Sequence, residues 1–129
     1  MGLDGNIYGV PSHATRVLKV TVATGAVELI GASLASDSGF GGRGTYRYGG
    51  AVVAPDGGLI YCLPSDADRV LRIDPATEEV VEIGPSFRGK NKWQNGFVGR
   101  DGAIYGIPCD AEQASHQYHV TDDTSLARR

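Results

Sequence analysis

Cysteine is scarce in this 129-residue chain: Cys62 and Cys109 are the only two, and neither has metal-ligand spacing around it. Two such residues build no disulfide framework and are read as free thiols. No run approaches the roughly 18 consecutive apolar residues of a membrane-spanning helix, so no transmembrane segment is expected. A charged-then-apolar leader pattern is missing too. Met1-Gly2 opens like a myristoylation site, but Asn6 stands where that motif wants Ser or Thr. A basic excess is also lacking, with 12 Lys and Arg against 15 Asp and Glu and a formal net charge of −3. That balance argues against wholesale polyanion binding, and no nucleic-acid partner is expected. No segment keeps a 3.6-residue apolar period over three turns, so helix has little support. There is no Gly-x-Ser-x-Gly elbow, no phosphate-cradling Gly-x-x-x-x-Gly-Lys and no His-Glu-x-x-His. No catalytic residue, metal ligand or cofactor is therefore assigned. The run Gly39–Gly44 lies between expected strands with no helix to follow, and reads as a flexible connection rather than a nucleotide loop.

What the chain does have is glycine, 19 residues of it, and an internal repeat. Asp4-Gly5-Asn6-Ile7-Tyr8-Gly9-Val10-Pro11 recurs as Asp56-Gly57-Gly58-Leu59-Ile60-Tyr61-Cys62-Leu63-Pro64 and as Asp101-Gly102-Ala103-Ile104-Tyr105-Gly106-Ile107-Pro108. Downstream, Arg16-Val17-Leu18-Lys19-Val20 matches Arg69-Val70-Leu71-Arg72-Ile73, and Val27-Glu28-Leu29-Ile30-Gly31 matches Val80-Val81-Glu82-Ile83-Gly84. Upstream, Gly50-Ala51-Val52-Val53-Ala54 corresponds to Gly96-Phe97-Val98-Gly99. One unit spans about 45 residues, the period of a four-stranded propeller blade.

Each piece is short, rich in β-branched and aromatic residues, and bounded by turn chemistry, which predicts strands. Asp-Gly pairs suit tight hairpins, and Asp74-Pro75-Ala76-Thr77 presets a type I turn. Lettered a to d from the inside outward, strand a is expected near 51–54 and 96–99, and b near 7–10, 59–63 and 103–107. Strand c is expected near 16–20, 69–73 and 117–120, and d near 27–30 and 80–83. The expected fold is all-β: four-stranded antiparallel β-propeller blades in one domain, 1–129, about two and a half blades per chain. A partial blade covers 3–31, a whole blade 48–84 and a second partial blade 93–124. Ser125-Leu126-Ala127-Arg128-Arg129 stops before a convincing strand d. A closed propeller takes typically four to eight blades, and one blade does not bury both its faces. Copies of the chain, subunits of a larger complex, or the rest of a longer propeller are the expected means of completion.

The string Gly58-Leu59-Ile60-Tyr61, then Asp66-Ala67-Asp68-Arg69-Val70, then Ile73-Asp74 resembles the blade repeat of NHL-type and SMP-30-like propellers. Ile104-Tyr105-Gly106-Ile107-Pro108 and Val70-Leu71-Arg72-Ile73-Asp74-Pro75-Ala76-Thr77 are similar to tandem repeats in large proteins of unicellular algae. The resemblance covers nearly the whole chain and implies a fold. It implies no one function, because propellers host hydrolases, lyases, lectins and scaffolds.

Blade geometry puts the b–c and d–a loops on one face, and binding is sought there. The d–a loops carry Arg43-Gly44-Thr45-Tyr46-Arg47-Tyr48 and Arg88-Gly89-Lys90-Asn91-Lys92-Trp93. The b–c loops carry Pro11-Ser12-His13-Ala14, Pro64-Ser65-Asp66-Ala67 and Pro108-Cys109-Asp110-Ala111. The candidate binding residues are Arg43, Arg47, Tyr48, Asp66, Arg88, Lys92 and Trp93. Guanidinium groups beside Tyr48 and Trp93 suit a small anionic or sugar ligand, with the ring stacking. Alternatively they staple neighbouring blades, an Arg of one pairing with Asp66 or Asp110 of the next while the aromatic fills the core between them. A feature repeated in every blade is explained more simply by the second reading. His13 replaces the Asp of the other loops and reads as a surface substitution. His116 and His119, three apart on a strand, point to opposite faces and do not share a metal. The leading expectation is a non-catalytic structural and interaction module, with a lectin-like or anion-binding propeller, or a fragment of a propeller hydrolase or lyase, as alternatives.

Overall fold

The computed structural model describes residues 1–34, 46–55, 57–111, 117–121 and 125–128, which hold eleven strands and no helix. Sheet 1 contains β1 (Ile7–Gly9), β2 (Val17–Thr21) and β3 (Ala26–Ile30). Sheet 2 contains β4 (Tyr48–Val53), β5 (Ile60–Pro64), β6 (Val70–Asp74) and β7 (Glu79–Ile83). Sheet 3 contains β8 (Trp93–Val98), β9 (Ile104–Pro108), β10 (Gln117–Thr121) and β11 (Ser125–Arg128). Each sheet is an antiparallel meander in chain order.

β11 corrects the reading of the carboxyl end, where the third unit was expected to close at 124. Ser125–Arg128 pairs along β10, with Thr121 opposite Ser125 and Tyr118 opposite Arg128. The segment has no β-branched residue to announce a strand. Pairing to a neighbour, rather than propensity, makes it one.

Turn chemistry sets the register. In the first and third units Gly5 and Gly102 take φ of 81° and 79°, and the Gly2 and Gly99 amides donate to the Asn6 and Ala103 carbonyls at 2.9 and 2.8 Å. In both, the turn aspartate accepts from the tyrosine four residues on, Tyr8 to Asp4 at 2.8 Å and Tyr105 to Asp101 at 2.6 Å. The Asp-Gly…Tyr spacing is therefore a turn lock. The β6–β7 connection runs one residue further than the Asp-Pro-Ala-Thr string, because the Glu78 amide returns to the Asp74 carbonyl at 2.8 Å. Glu78 adopts a φ of 60°, where the matching turn of sheet 1 has Gly25 at 72°. Its carboxylate forms an ion pair with Lys19 of sheet 1.

Alternation along the strands divides the core in two. Ile60, Cys62, Leu71 and Ile73 of sheet 2 pack with Tyr8, Val17 and Ile30 of sheet 1. Val52, Tyr61, Leu63 and Val70, on the other face of sheet 2, pack with Trp93 and Ile104 of sheet 3. All five residues of β5 are buried, as expected of a strand covered on both faces. Gly96 of sheet 3 lies against side chains of sheet 2. A methyl there would stand 2.5 Å from Leu63 Cδ1, 2.6 Å from the Tyr105 carbonyl oxygen and 3.1 Å from Val52 Cγ2. Gly96→Ala is accordingly expected to cost about 2 kcal/mol through overpacking, read as a lowered urea midpoint. An unchanged midpoint would mean that sheets 2 and 3 are not in this contact.

Candidate functional site

The long loops of successive units meet at one end of the stack through a hydrogen-bond pattern that repeats. The Arg47 amide donates to the Ser12 carbonyl of the preceding unit at 2.9 Å, and the Ser65 amide of its own unit donates to the Arg47 carbonyl at 2.8 Å. One unit on, the Lys92 amide donates to the Ser65 carbonyl at 3.1 Å and the Cys109 amide to the Lys92 carbonyl at 2.8 Å. The Asp66 and Asp110 amides donate to the Tyr46 and Asn91 carbonyls, each at 2.9 Å. Arg47 and Lys92, and Ser12, Ser65 and Cys109, thus hold equivalent places. The residue before each strand a is threaded between the b–c loops of two adjacent units.

The two buried cations act through their side chains in the same direction. Arg47 Nη1 donates to the His13 and Ala14 carbonyls at 3.1 and 3.3 Å. Lys92 Nζ donates to the Ser65, Ala67 and Gly89 carbonyls at 2.8, 2.9 and 2.8 Å. A lysine has three donors, and here two carbonyls of the β5–β6 loop and one of the β7–β8 loop take them. Asp66, also buried, accepts the Tyr46 amide on one carboxylate oxygen at 2.9 Å and the Asn91 amide on the other at 2.7 Å. It ties the entry to its own unit to the entry to the next. The expected side-chain pairing between a cation and Asp66 or Asp110 is replaced, for Lys92, by capping of backbone carbonyls. Burial is the reason, since loop carbonyls removed from water must find donors.

Tyr48 and Trp93 are buried in the two inter-sheet cores. The Tyr48 hydroxyl donates to Glu82 at 3.2 Å, and Phe87 meets the Trp93 ring edge-on, with centroids 5.4 Å apart. Neither ring presents a face for a sugar. Beneath Trp93, a methyl at Gly106 would lie 3.1 Å from Cδ1; in sheet 2 the equivalent position is Cys62, packed in the core that contains Tyr48. Arg88 is exposed, away from the buried cluster. Arg43, with the run 39–44, and His116 lie outside the described residues. His13 is exposed, 3.2 Å from Ser12 Oγ through Nδ1 and edge-on to Tyr46. Cys62 and Cys109 are free.

Asn91 and Phe87 escaped the sequence reading. Asn91 takes a φ of 50°, and its side chain donates to Asp110 at 3.0 Å and approaches Cys109 Sγ at 3.3 Å. An asparagine before the cation was the available signal, because Asn tolerates left-handed backbone. Among the described residues no group of three or more His, Cys, Asp or Glu side chains is placed to hold a metal ion. Among them, too, no helix is long and apolar enough to cross a membrane. Comparison with protein-family models and with curated proteins finds no match.

Two outcomes follow from this chemistry. Lys92→Met strands three carbonyls and is expected to cost about 2 kcal/mol in urea unfolding, whereas Lys92→Arg, the cation used at Arg47, retains most of the stability. Equal losses for the two variants would remove the capping role. Burial pushes the Cys62 thiol from 9.0 up to about 12. Burial and then the bond to Asp4 push Tyr8 from 10.0 to about 12. A group whose folded value is raised stabilises fully below its unfolded value and loses that contribution as pH climbs through the folded one. Lys92, held low by burial, acts in the opposite sense. The urea midpoint is expected to fall as pH rises from 9 toward 12, and less steeply in Cys62→Ala. Identical slopes would place the thiol outside the core.

Proposed function

We propose that this chain is a non-catalytic structural and interaction module of β-propeller type, whose stack of sheets is completed by further sheets from copies or partner proteins. The observation that carries the reading is that equivalent positions are buried in the middle of the stack and exposed at its ends. Ile60 and Leu71 are 3% and 0% exposed, and their counterparts in sheet 1, Ile7 and Leu18, are 47% and 38% exposed. Leu63 is 1% exposed, and its counterpart in sheet 3, Ile107, is 47% exposed. Val22, Val27 and Leu29 of the first unit and Phe97 of sheet 3 are exposed as well. Contiguous apolar faces of this kind mark interaction surfaces.

The meander order of the sheets, the repeated register and the loop-to-loop capping support a blade-like unit, as does the resemblance to NHL-type and SMP-30-like repeats. A lectin-like or anion-binding role draws less support, because the aromatic rings and Arg47 and Lys92 are engaged inside the stack. In a repeat array each unit adds its own stability and that of its contacts with two neighbours. Tyr46 and Asn91 occupy equivalent places, so a second copy of residues 46–90 inserted after Lys90 keeps the phase. The lengthened chain is expected to unfold at a higher urea concentration than the original. A midpoint equal to or below the original would overturn the modular reading.

A further inference from the structure

We propose that the outer face of sheet 3 in one chain docks on the outer face of sheet 1 in a second copy, joining chains head to tail. This rests on the modular reading above and names the partner. The argument begins with the contacts inside the chain. At both internal interfaces the forward face of one sheet, built from the Tyr of strand b and its neighbours, meets the backward face of the next, built around the Ile before that Tyr. Tyr8 of sheet 1 belongs to one cluster with Ile60, Leu71 and Ile73 of sheet 2. Tyr61 and Leu63 of sheet 2 belong to another with Ile104 of sheet 3. Among the described residues one face of each kind is left without a covering sheet: Phe97, Tyr105 and Ile107 forward on sheet 3, and Ile7, Leu18, Val20 and Val27 backward on sheet 1. Joining them continues an interface the chain already makes twice.

The size of one residue favours a copy over another ordinary unit. Phe97 stands opposite Tyr105, as Val52 stands opposite Tyr61 in sheet 2. Val52 lies against the inner strand of the following sheet at Gly96, where even a methyl would come within 3.1 Å of it. A phenyl ring in that position, stacked on Tyr105 at 5.5 Å with the planes 11° apart, needs a neighbour whose inner strand is not in the way. Sheet 1 is such a neighbour: among the described residues β1 pairs with β2 alone. The interface between sheets 1 and 2 likewise forms with a single inner strand, β4. The two docking surfaces differ, so the contact is heterologous, and it propagates into a ring or a filament.

The test uses charge on one face at a time. Leu18→Glu disables the sheet 1 face and Phe97→Glu the sheet 3 face; Val27→Glu and Ile107→Glu, both at exposed positions, serve if either fails to fold. Sedimentation of the unaltered chain is expected to give species above its 13.6 kDa, and each variant alone a monomer. An equimolar mixture of the two is expected to give a heterodimer of twice that mass, because each variant supplies the face the other lacks. An unaltered chain that stays monomeric, or a mixture that does not pair, overturns the proposal. If the repeat-insertion variant is nonetheless stabilised, the modular reading stands and only the choice of partner falls.

Discussion

A strand with large apolar side chains on both faces is stable only between two sheets, and β5 is such a strand. Ile60 and Cys62 look toward sheet 1, Tyr61 and Leu63 toward sheet 3, and all are buried. The rest of the architecture serves that double burial. Sheets pack face to face at a spacing of about 10 Å, and glycine permits the closer approach of backbones at Gly49 and Gly50, where a methyl would stand 2.8 and 2.7 Å from backbone atoms of Trp93 and Gln94. Among the described residues, the equivalent side chains Ile7 and Leu18 of sheet 1 and Ile107 of sheet 3 stand without a covering sheet. This imbalance, rather than any catalytic constellation, is the most informative feature of the molecule.

The stack is held at its loop end by a polar device. A cation just ahead of strand a reaches back and satisfies carbonyls of the preceding unit's b–c loop, while the aromatic that follows it enters the core. Asp66 completes the link from the acceptor side by binding the amides that lead into two successive units. Buried charge is costly unless it is fully hydrogen-bonded. Lys92 meets that condition with three carbonyls. The device also explains why the Arg/Lys-aromatic pair repeats: each junction between units requires one. Lys19 and Glu78 add a charge contact between sheets 1 and 2 at the opposite, tight-turn side.

Strand positions were legible because the repeat aligns three copies of the same pattern, and turn residues bound each run. The Arg-aromatic and Asp-containing loops were legible as repeated features for the same reason. Their chemistry was not, because the partners of Lys92 are backbone carbonyls, which leave no trace in side-chain identity. Glu78 carried no signal either: it occupies a left-handed turn position that glycine fills in sheet 1, and its partner Lys19 is 59 residues away. β11 was missed because Ser125-Leu126-Ala127-Arg128 has weak strand propensity and owes its form to β10. Above all, Ile7 and Ile60 look alike in sequence. Only their neighbours in space make one exposed and the other buried.

Amide hydrogen exchange on the chain at low concentration tests the central claim most directly, because protection follows local burial and packing. Sheet 2, covered on both faces, is expected to exchange slowest, led by β5 and β6. Sheet 1 and the β8–β9 hairpin, each with one open face, should exchange faster. Uniform protection across the three sheets, or slowest exchange in sheet 1, would contradict an account in which the middle of the stack holds the ends together.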